Sequence, residues 1–199
     1  MLQSDVGHRQ NAGVVDDRGD RLVDLVAEGV DCVIRSGMPE NSSLSAKPLA
    51  LIPEVTCASP AYLQRFGRPQ HPDALTEHLA VGFFASHQDR RYPFEFLVDG
   101  ALRRVELASR IDVNHADSYL ACALRGCGLI QLPRYRVERQ LASGELVEVL
   151  AAYPSPGLPV HALYPRHRQQ SRRVRVFIDW ASQIYAQRFG PLDRRQLQP

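Results

Sequence analysis

Residues 115–150, HADSYLACALRGCGLIQLPRYRVERQLASGELVEVL, alternate between helical and strand patterns, and this alternation decides the fold class. The first part predicts a helix with Asn114 or His115 near its N-cap and a stop at Gly126, and LIQLP predicts a strand closed by Pro133. RYRVERQLASG predicts a second helix ended by Gly144, and ELVEVL predicts another strand. Helices and strands in alternation indicate an α/β protein.

The same alternation continues toward the N-terminus. RLVDLVAEG (21–29) predicts a short amphipathic helix with a glycine stop. VDCVIR (30–35) then predicts a buried strand, and its mostly apolar composition favours a parallel one. Ser36 and Gly37 follow at the end of this strand as a turn, and ligands of open α/β sheets bind at such strand ends.

Two further local signals lie in the middle of the chain. Ser59 and Pro60 predict a helix start, with the serine as N-cap and the proline at the first helical position. Asp99 and Gly100 predict the two-residue turn of a β-hairpin, because short apolar runs flank them on both sides. A hairpin is antiparallel, so we expect mixed sheets.

The longest predicted helix covers residues 171–189 and ends at Gly190. Its apolar positions follow the three-to-four spacing of one buried face. These positions are Val174, Phe177, Ile178, Ala181, Ile184 and Tyr185.

Proline-marked extended stretches near 48–53 and 154–159 indicate that the chain crosses twice between two lobes. The first lobe is then discontinuous, because it takes segments from both ends of the chain. On these signals alone, residues near 54–153 form one lobe and the flanking segments form the other, with an irregular segment 1–19 at the start and a loose tail 191–199.

Composition restricts the class of protein. The 199 residues carry 24 basic and 22 acidic side chains, a net charge of +2, and 44% are hydrophobic. These values exclude a disordered or supercharged chain. The sequence has no apolar run long enough to span a membrane and no apolar core of a secretory signal near its start.

The sequence shows no pattern of a catalytic, metal or cofactor site. GxSxG, HExxH, GxGxxG and phosphate-loop motifs are missing, and the seven histidines have no metal-ligand spacing. We therefore expect no enzyme, no cofactor and no metal. The sequence also lacks a helix-turn-helix and a zinc finger, so we expect no direct reading of DNA by these residues.

The four cysteines indicate a reducing compartment, the cytoplasm. Cys32, Cys57, Cys122 and Cys127 form no CxxC pair, and we expect buried free thiols rather than a structural zinc site. Cys122 and Cys127 are five positions apart, so on one continuous helix they face different directions.

Four segments together resemble the effector-binding domain of the bacterial LysR-type transcriptional regulators. They are DLVAEGVDCVIRSG (24–37), CASPAYLQRFGRPQHPDAL (57–75), the opening segment 115–150 and VHALYPRHRQQSRRVRVFIDW (160–180). The resemblance covers about residues 20–189, and it implies a first lobe of 20–48 plus 159–190 and a second lobe of 49–158. It implies a type 2 periplasmic-binding-protein-like fold of two α/β lobes, a small-molecule effector in the cleft between them, a preceding winged helix-turn-helix that binds DNA, and assembly into dimers or tetramers.

The resemblance is incomplete at the N-terminal side. In the family a strand and a helix of the first lobe precede the segment that matches DRLVDLV, and residues 1–19 do not match them. We therefore expect an incomplete first lobe. The effector and dimer contacts that this helix makes in the family are expected to be missing, and a homo-oligomer or a pairing with a paralogue remains an expectation from the family.

The resemblance also implies which residues line the effector site. They lie in the loop after the first-lobe strand, at the start of a second-lobe helix and at a strand end that faces the cleft. The set is Arg35, Ser36, Gly37, Asn114, Ala116, Asp117, Leu132 and Pro133. A helix N-terminus offers free N–H groups, which suit an anionic ligand such as a carboxylate, although an acidic residue in its first turn competes for them.

Each of these assignments has a structural alternative. Asn114 and Asp117 can be helix caps, Ser36 and Gly37 can be a turn, and Leu132 with Pro133 can be core packing and a chain stop. A family dimer interface is implied for Tyr119, Leu120 and Ala123, and core packing is the alternative there. For the whole chain, the alternatives are a stand-alone solute-binding or interaction module and a non-functional regulator fragment.

Overall fold

The computed structural model describes residues 30–37, 44–84, 91–168 and 171–192. The helix predicted over 21–29, the segment predicted as irregular over 1–19 and all but the first two residues of the tail predicted as loose over 191–199 lie outside the described residues. The strands are β1 (Val33–Ser36), β2 (Leu44–Ile52), β3 (Glu54–Ala58), β4 (Leu79–Phe83), β5 (Phe94–Val98), β6 (Ala101–Val105), β7 (Ala108–Val113), β8 (Ile130–Pro133), β9 (Val147–Glu148) and β10 (Leu158–Pro165). The α-helices are α1 (Pro60–Phe66), α2 (Ala116–Leu124), α3 (Glu138–Ser143) and α4 (Arg172–Phe189), and 3₁₀ turns cover Pro72–Glu77, Arg134–Arg136 and Arg166–Arg168.

The first sheet has the strand order β1-β10-β2, and both of its ladders are antiparallel. The prediction of a parallel β1 is wrong for this described pairing, because an apolar run reports burial and carries no information on strand direction. A register shift in β10 between Val160 and His161 lies opposite Pro48, whose missing N–H cannot join the ladder.

Helix α4 packs on β2 and completes the core of this sheet. Val174, Ile178 and Ala181 are buried as predicted, but Ile184 is 44% exposed. At about 100° per residue, Ile184 lies roughly 80° around the helix from Val174, outside the stripe that meets the sheet. The buried members of this core are Cys32, Leu49, Ala50, Ile52, Val160, Ala162, Val174, Ile178 and Ala181.

The second group of strands is a mixed arrangement. Strands β8, β3 and β9 are antiparallel neighbours, and β4 pairs with β7 in parallel. The Val81 N–H donates to the Leu129 carbonyl at 3.0 Å, and the Leu129 N–H donates to the Leu79 carbonyl at 2.9 Å. These two bonds join the pairs into one order, β7-β4-β8-β3-β9, with a parallel contact in its centre.

Gly128 lies beside this parallel contact. A Cβ built at this position would stand 2.5 Å from the Ala80 carbonyl carbon and 2.7 Å from the Val81 nitrogen. Such distances are shorter than any ordinary carbon contact, so only glycine lets β4 approach here.

The predicted helix start and hairpin are confirmed. The Ser59 hydroxyl caps α1 by accepting from the Tyr62 N–H at 3.4 Å. Strands β5 and β6 pair with Val98 opposite Ala101, and both turn residues have positive φ, 51° at Asp99 and 78° at Gly100.

The strand predicted over 145–150 is shorter than expected. Only Val147 and Glu148 form β9, because Leu150 has a φ of 56° and turns the chain away from β3. The helix predicted over 134–144 is divided into a 3₁₀ turn and α3, which ends at Gly144 as predicted.

Candidate functional site

The loop after β1 is held from both sides by β10. The Gly37 N–H donates to the Pro159 carbonyl at 2.8 Å. The Gly37 carbonyl lies 3.1 Å from Nδ1 of His161, and because a carbonyl can only accept, this nitrogen carries the proton. Gly37 has a φ of +92°, which favours glycine. The loop is therefore fixed in place, with Ser36 exposed and Arg35 half-buried.

His161 is a residue that the sequence prediction missed. Its ring is buried, and burial lowers its pKa, so the imidazole is neutral near pH 7. It lies 124 positions from its partner Gly37, so no local pattern separates it from the other six histidines.

The start of α2 is capped by His115. The His115 Nδ1 accepts from the Asp117 N–H at 3.3 Å, and Asn114 is exposed one position before the cap. Of the two cap positions that the sequence left open, Asn114 and His115, the helix uses His115. A histidine accepts this bond through a ring nitrogen as serine or asparagine does through oxygen, so residue-type preferences did not separate the two positions.

The Asp117 carboxylate has its own partner. It accepts from the Arg136 guanidinium at 2.9 Å, and both side chains are well exposed. Such an exposed pair stabilises the fold by about 1 kcal/mol or less. The pair places an arginine beside the helix start and offsets the negative charge that works against an anionic ligand.

The strand-end residues divide between core and surface. Leu132 is 4% exposed and belongs to the core with Val55 and Ile130, so core packing describes it. Pro133 is half-buried and pairs with Glu54 across the ladder.

The three residues assigned to a dimer interface lie mainly in the core of this chain. Tyr119 is 5% exposed and Ala123 is fully buried, whereas Leu120 is partly buried at the edge of the same cluster. The Tyr119 hydroxyl accepts from the Gln131 N–H at 3.1 Å. Tyr119 and Ala123 therefore pack in the core of this chain, and their role at a dimer interface stays a prediction.

A carboxyl group joins the two chain segments that connect the sheets. The Ser155 hydroxyl donates to Oε2 of Glu54 at 2.9 Å, and the two residues are 101 positions apart. Glu54 follows Pro53 directly, and Ser155 lies in the return segment before β10. Burial raises the Glu54 pKa to about 7, and the charge of Glu95 adds to the effect. The only sequence signal for this group was an acidic residue in an otherwise apolar strand.

This raised pKa predicts a pH-dependent stability. The folded chain holds the Glu54 proton to higher pH than the unfolded chain does. The contribution of this proton to the free energy of unfolding is therefore full below about pH 4.5 and is lost as pH rises through 7. The loss is up to about 3 kcal/mol. We expect Glu54→Gln, which keeps an acceptor for Ser155, to be the more stable chain at pH 8 and to lose the decline between pH 5 and 8 in urea unfolding.

Glu145→Gln is the matched control, because Glu145 is exposed on a loop. Its pH dependence should follow that of the unmodified chain. If the stability of Glu54→Gln still declines between pH 5 and 8 as in the unmodified chain, another group causes the decline.

Separate contacts fix each of the two candidate stretches. The loop 35–37 is fixed to β10, and the start of α2 is fixed by His115 and Arg136. A further contact joins the two halves of the chain at Tyr135, whose ring lies 6.0 Å from the Phe189 ring and 5.3 Å from the Arg188 guanidinium carbon.

The described ranges hold no group of three or more His, Cys, Asp or Glu side chains arranged to bind a metal ion. Across the same residues, none of the helices is both long and apolar enough to cross a membrane.

Comparison with known proteins gives one consistent family. The model of the LysR substrate binding domain matches residues 14–185. The sequence is 38% identical over 165 residues to the uncharacterized HTH-type transcriptional regulator YhjC of Escherichia coli K12, covering 83% of this chain and 55% of that protein. The chain thus spans about half the length of the curated relatives it matches.

Solved structures agree with the sequence comparison. The regulatory domain of CrgA, a LysR-type regulator from Neisseria meningitidis, matches with a TM-score of 0.63 at 26% identity, over 82% of this chain and 79% of that chain. The effector domain of AmpR from Pseudomonas aeruginosa matches with a TM-score of 0.63 at 21% identity, over 90% and 82% of the two chains.

Proposed function

The chain belongs to the LysR substrate-binding-domain family, with the type 2 periplasmic-binding-protein-like fold of its regulatory domains, and from this premise we propose that it binds a small organic effector in a cleft between two lobes. The observation that carries the proposal is the family match over residues 14–185. In such a domain, ligand binding at the cleft biases the relative arrangement of the lobes, and the rest of the regulator responds to that arrangement.

The division into lobes is supported by the separate cores. One core contains β2, β10 and α4, and the others contain β3 to β9. Leu49, Ala50 and Ile52 pack with β10 and α4. We therefore place the first crossing at Pro53, a few residues beyond the boundary that the sequence predicted at 48, and the return crossing near 154–158.

We assign the effector contacts to the polar groups that the two lobes leave accessible. The first lobe offers Ser36 and the half-buried Arg35, and the second offers Asn114 and Ala116 at the start of α2. Arg35 and the positive end of α2 favour an anion, so a small carboxylate is the proposed class. Gly37 shapes the loop, and Pro133 supplies an apolar edge. The Asp117 carboxylate accepts from Arg136, and Leu132 packs in the core.

Thermal unfolding against a panel of small carboxylates, represented by benzoate and succinate, tests the proposal. A compound at a hundred times its dissociation constant should raise the free energy of unfolding by about 2.7 kcal/mol. Ala116→Glu fills the proposed site with a negative charge and should weaken binding by tenfold or more, which is about 1.4 kcal/mol. Ala121→Glu places the same side chain on the exposed outer side of α2 and should bind normally. Equal binding by both variants would contradict the assignment.

The role of the whole protein is a further proposal. The relatives are transcriptional regulators, and we propose that the full protein regulates transcription in the cytoplasm as an oligomer, through a DNA-binding segment outside these residues, without catalysis. Joining the chain to the DNA-binding segment of a relative and measuring a reporter gene tests this. Expression should depend on the carboxylate that stabilises the isolated chain, and Ala116→Glu should abolish that dependence. A reporter indifferent to the compound would contradict a sensory role.

A further inference from the structure

Helix α2 ends in a turn that brings two cysteines together. The Cys127 N–H donates to the Cys122 carbonyl at 3.1 Å, and the Gly126 N–H donates to the Ala123 carbonyl at 2.9 Å. Gly126 has a φ of +76°. This pair of bonds around a left-handed glycine is the Schellman motif, in which the first and last side chains contact each other.

The side chains of Cys122 and Cys127 both pack against the same core cluster. The two cysteines do not share one continuous helix, because the helix ends before Arg125 and the turn at Gly126 folds Cys127 back toward Cys122. The glycine was the local signal that could have found this contact.

The other two cysteines are much less accessible. Cys32 is 5% exposed and Cys57 is 0% exposed, and burial raises their pKa to about 11 and about 12. Cys122 and Cys127 are partly exposed, although burial and the neighbouring sulfur raise the pKa of Cys122. All four lie in described residues, so an oxidant in solution meets this pair first. The nucleophile is the thiolate, so the reaction is slow at neutral pH.

We propose that Cys122 and Cys127 form a modification site that peroxide converts reversibly into an intramolecular disulfide. One sulfur attacks a peroxide oxygen, the O–O bond breaks, and the second oxygen leaves as water with the thiol proton. The other sulfur then attacks this sulfenic acid, the S–O bond breaks, an S–S bond forms, and a second water leaves. Each sulfur loses one electron, and one hydrogen peroxide is reduced to two waters.

The local structure accommodates the bond. A disulfide requires Cα atoms within about 7 Å of each other, and the 3.1 Å bond from the Cys127 N–H to the Cys122 carbonyl holds these two residues within that range. The turn also packs on the start of α1, since the position of a Gly126 Cβ would lie 3.5 Å from the Ser59 hydroxyl. Oxidation therefore fixes the C-terminal turn of α2, the helix whose first turn belongs to the proposed effector site.

Peptide mapping of the whole chain tests this proposal. The chain is treated with hydrogen peroxide, unfolded, alkylated with N-ethylmaleimide and digested with trypsin. Cleavage after Arg125 separates the two cysteines, so the disulfide joins peptides 111–125 and 126–134, and dithiothreitol releases them. We expect the alkylated cysteines to fall from four to two, with Cys32 and Cys57 still alkylated.

Cys122→Ser and Cys127→Ser are the control variants, and each should retain three alkylated cysteines and give no joined peptide. The decisive measurement is made on the unmodified chain, so its result does not depend on whether the two variants fold. Accumulation of sulfinic acid without a joined peptide, oxidation of Cys32 or Cys57 at the same rate, or only intermolecular disulfides would each overturn the proposal.

Discussion

Replacing Gly128 with alanine should lower the free energy of unfolding by about 3–5 kcal/mol, a large part of the total stability of a domain of this size. The new Cβ would stand 2.5 Å and 2.7 Å from backbone atoms of Ala80 and Val81, and 2.9 Å from the Ala80 carbonyl oxygen. Backbone cannot rotate aside as a flexible side chain does, so β4 must separate from β8. Overpacking of this kind costs about 1–3 kcal/mol, and the two hydrogen bonds at Leu129 add about 1 kcal/mol each.

Urea unfolding followed by circular dichroism measures this effect. Gly144→Ala is the matched control, because Gly144 also has a conformation that favours glycine, with a φ of +77°, but nothing lies within 4 Å of its added Cβ. The control should lose only about 1–2 kcal/mol from backbone strain. If the Gly128→Ala chain is as stable as this control, then residue 128 does not lie so close to the backbone of β4.

Gln131→Ala should cost about 2–4 kcal/mol. The Gln131 amide donates to the Thr56 hydroxyl at 3.0 Å and to the Glu95 carbonyl at 2.9 Å, and its oxygen accepts from the Glu95 N–H at 2.8 Å. The side chain therefore joins β8 to β3 and to the β5–β6 hairpin. Truncation leaves the Glu95 N–H and carbonyl without this partner, and a buried group left unpaired costs about 1–3 kcal/mol.

Amide hydrogen exchange separates this effect from general destabilisation. In Gln131→Ala the Glu95 amide should exchange faster than amides in β3 at a urea concentration that leaves the chain folded. Gln64→Ala, on the exposed face of α1, should change stability by no more than about 0.5 kcal/mol. Uniform exchange across β3 and β5 would contradict a local role for Gln131.

The sequence predicted the features that neighbouring residues determine. Ser59 and Pro60 begin a helix, Asp99 and Gly100 form a hairpin turn, and Gly126 ends α2 because each of these conformations depends on a few adjacent side chains. The mixed α/β class followed from the alternation of such signals and is confirmed.

Features that depend on distant partners were not predictable in this way. The antiparallel pairing of β1 depends on β10, which lies more than 120 residues later in the chain. The close approach at Gly128 requires β4, and the Glu54 bond requires Ser155. Each of these contacts joins segments that are far apart in the chain, and no sequence signal in one segment identifies the other as its partner.

The candidate site likewise combines local features that the sequence predicted with contacts to distant residues that it did not. The loop at Ser36 and Gly37 was predicted as a turn at a strand end, but its fixation by His161 could not be seen in the sequence. The start of α2 was predicted, but the arginine that pairs with Asp117 comes from a different element.

The most direct test of the central claim is hydrogen exchange of the chain with and without the carboxylate that most raises its melting temperature. A ligand held between two lobes contacts both, so we predict slower exchange in two separate segments, the loop 35–37 and the start of α2 at 115–119, with the β5–β6 hairpin unchanged. Protection of one of these segments alone, or of the hairpin instead, would contradict a cleft site between the lobes.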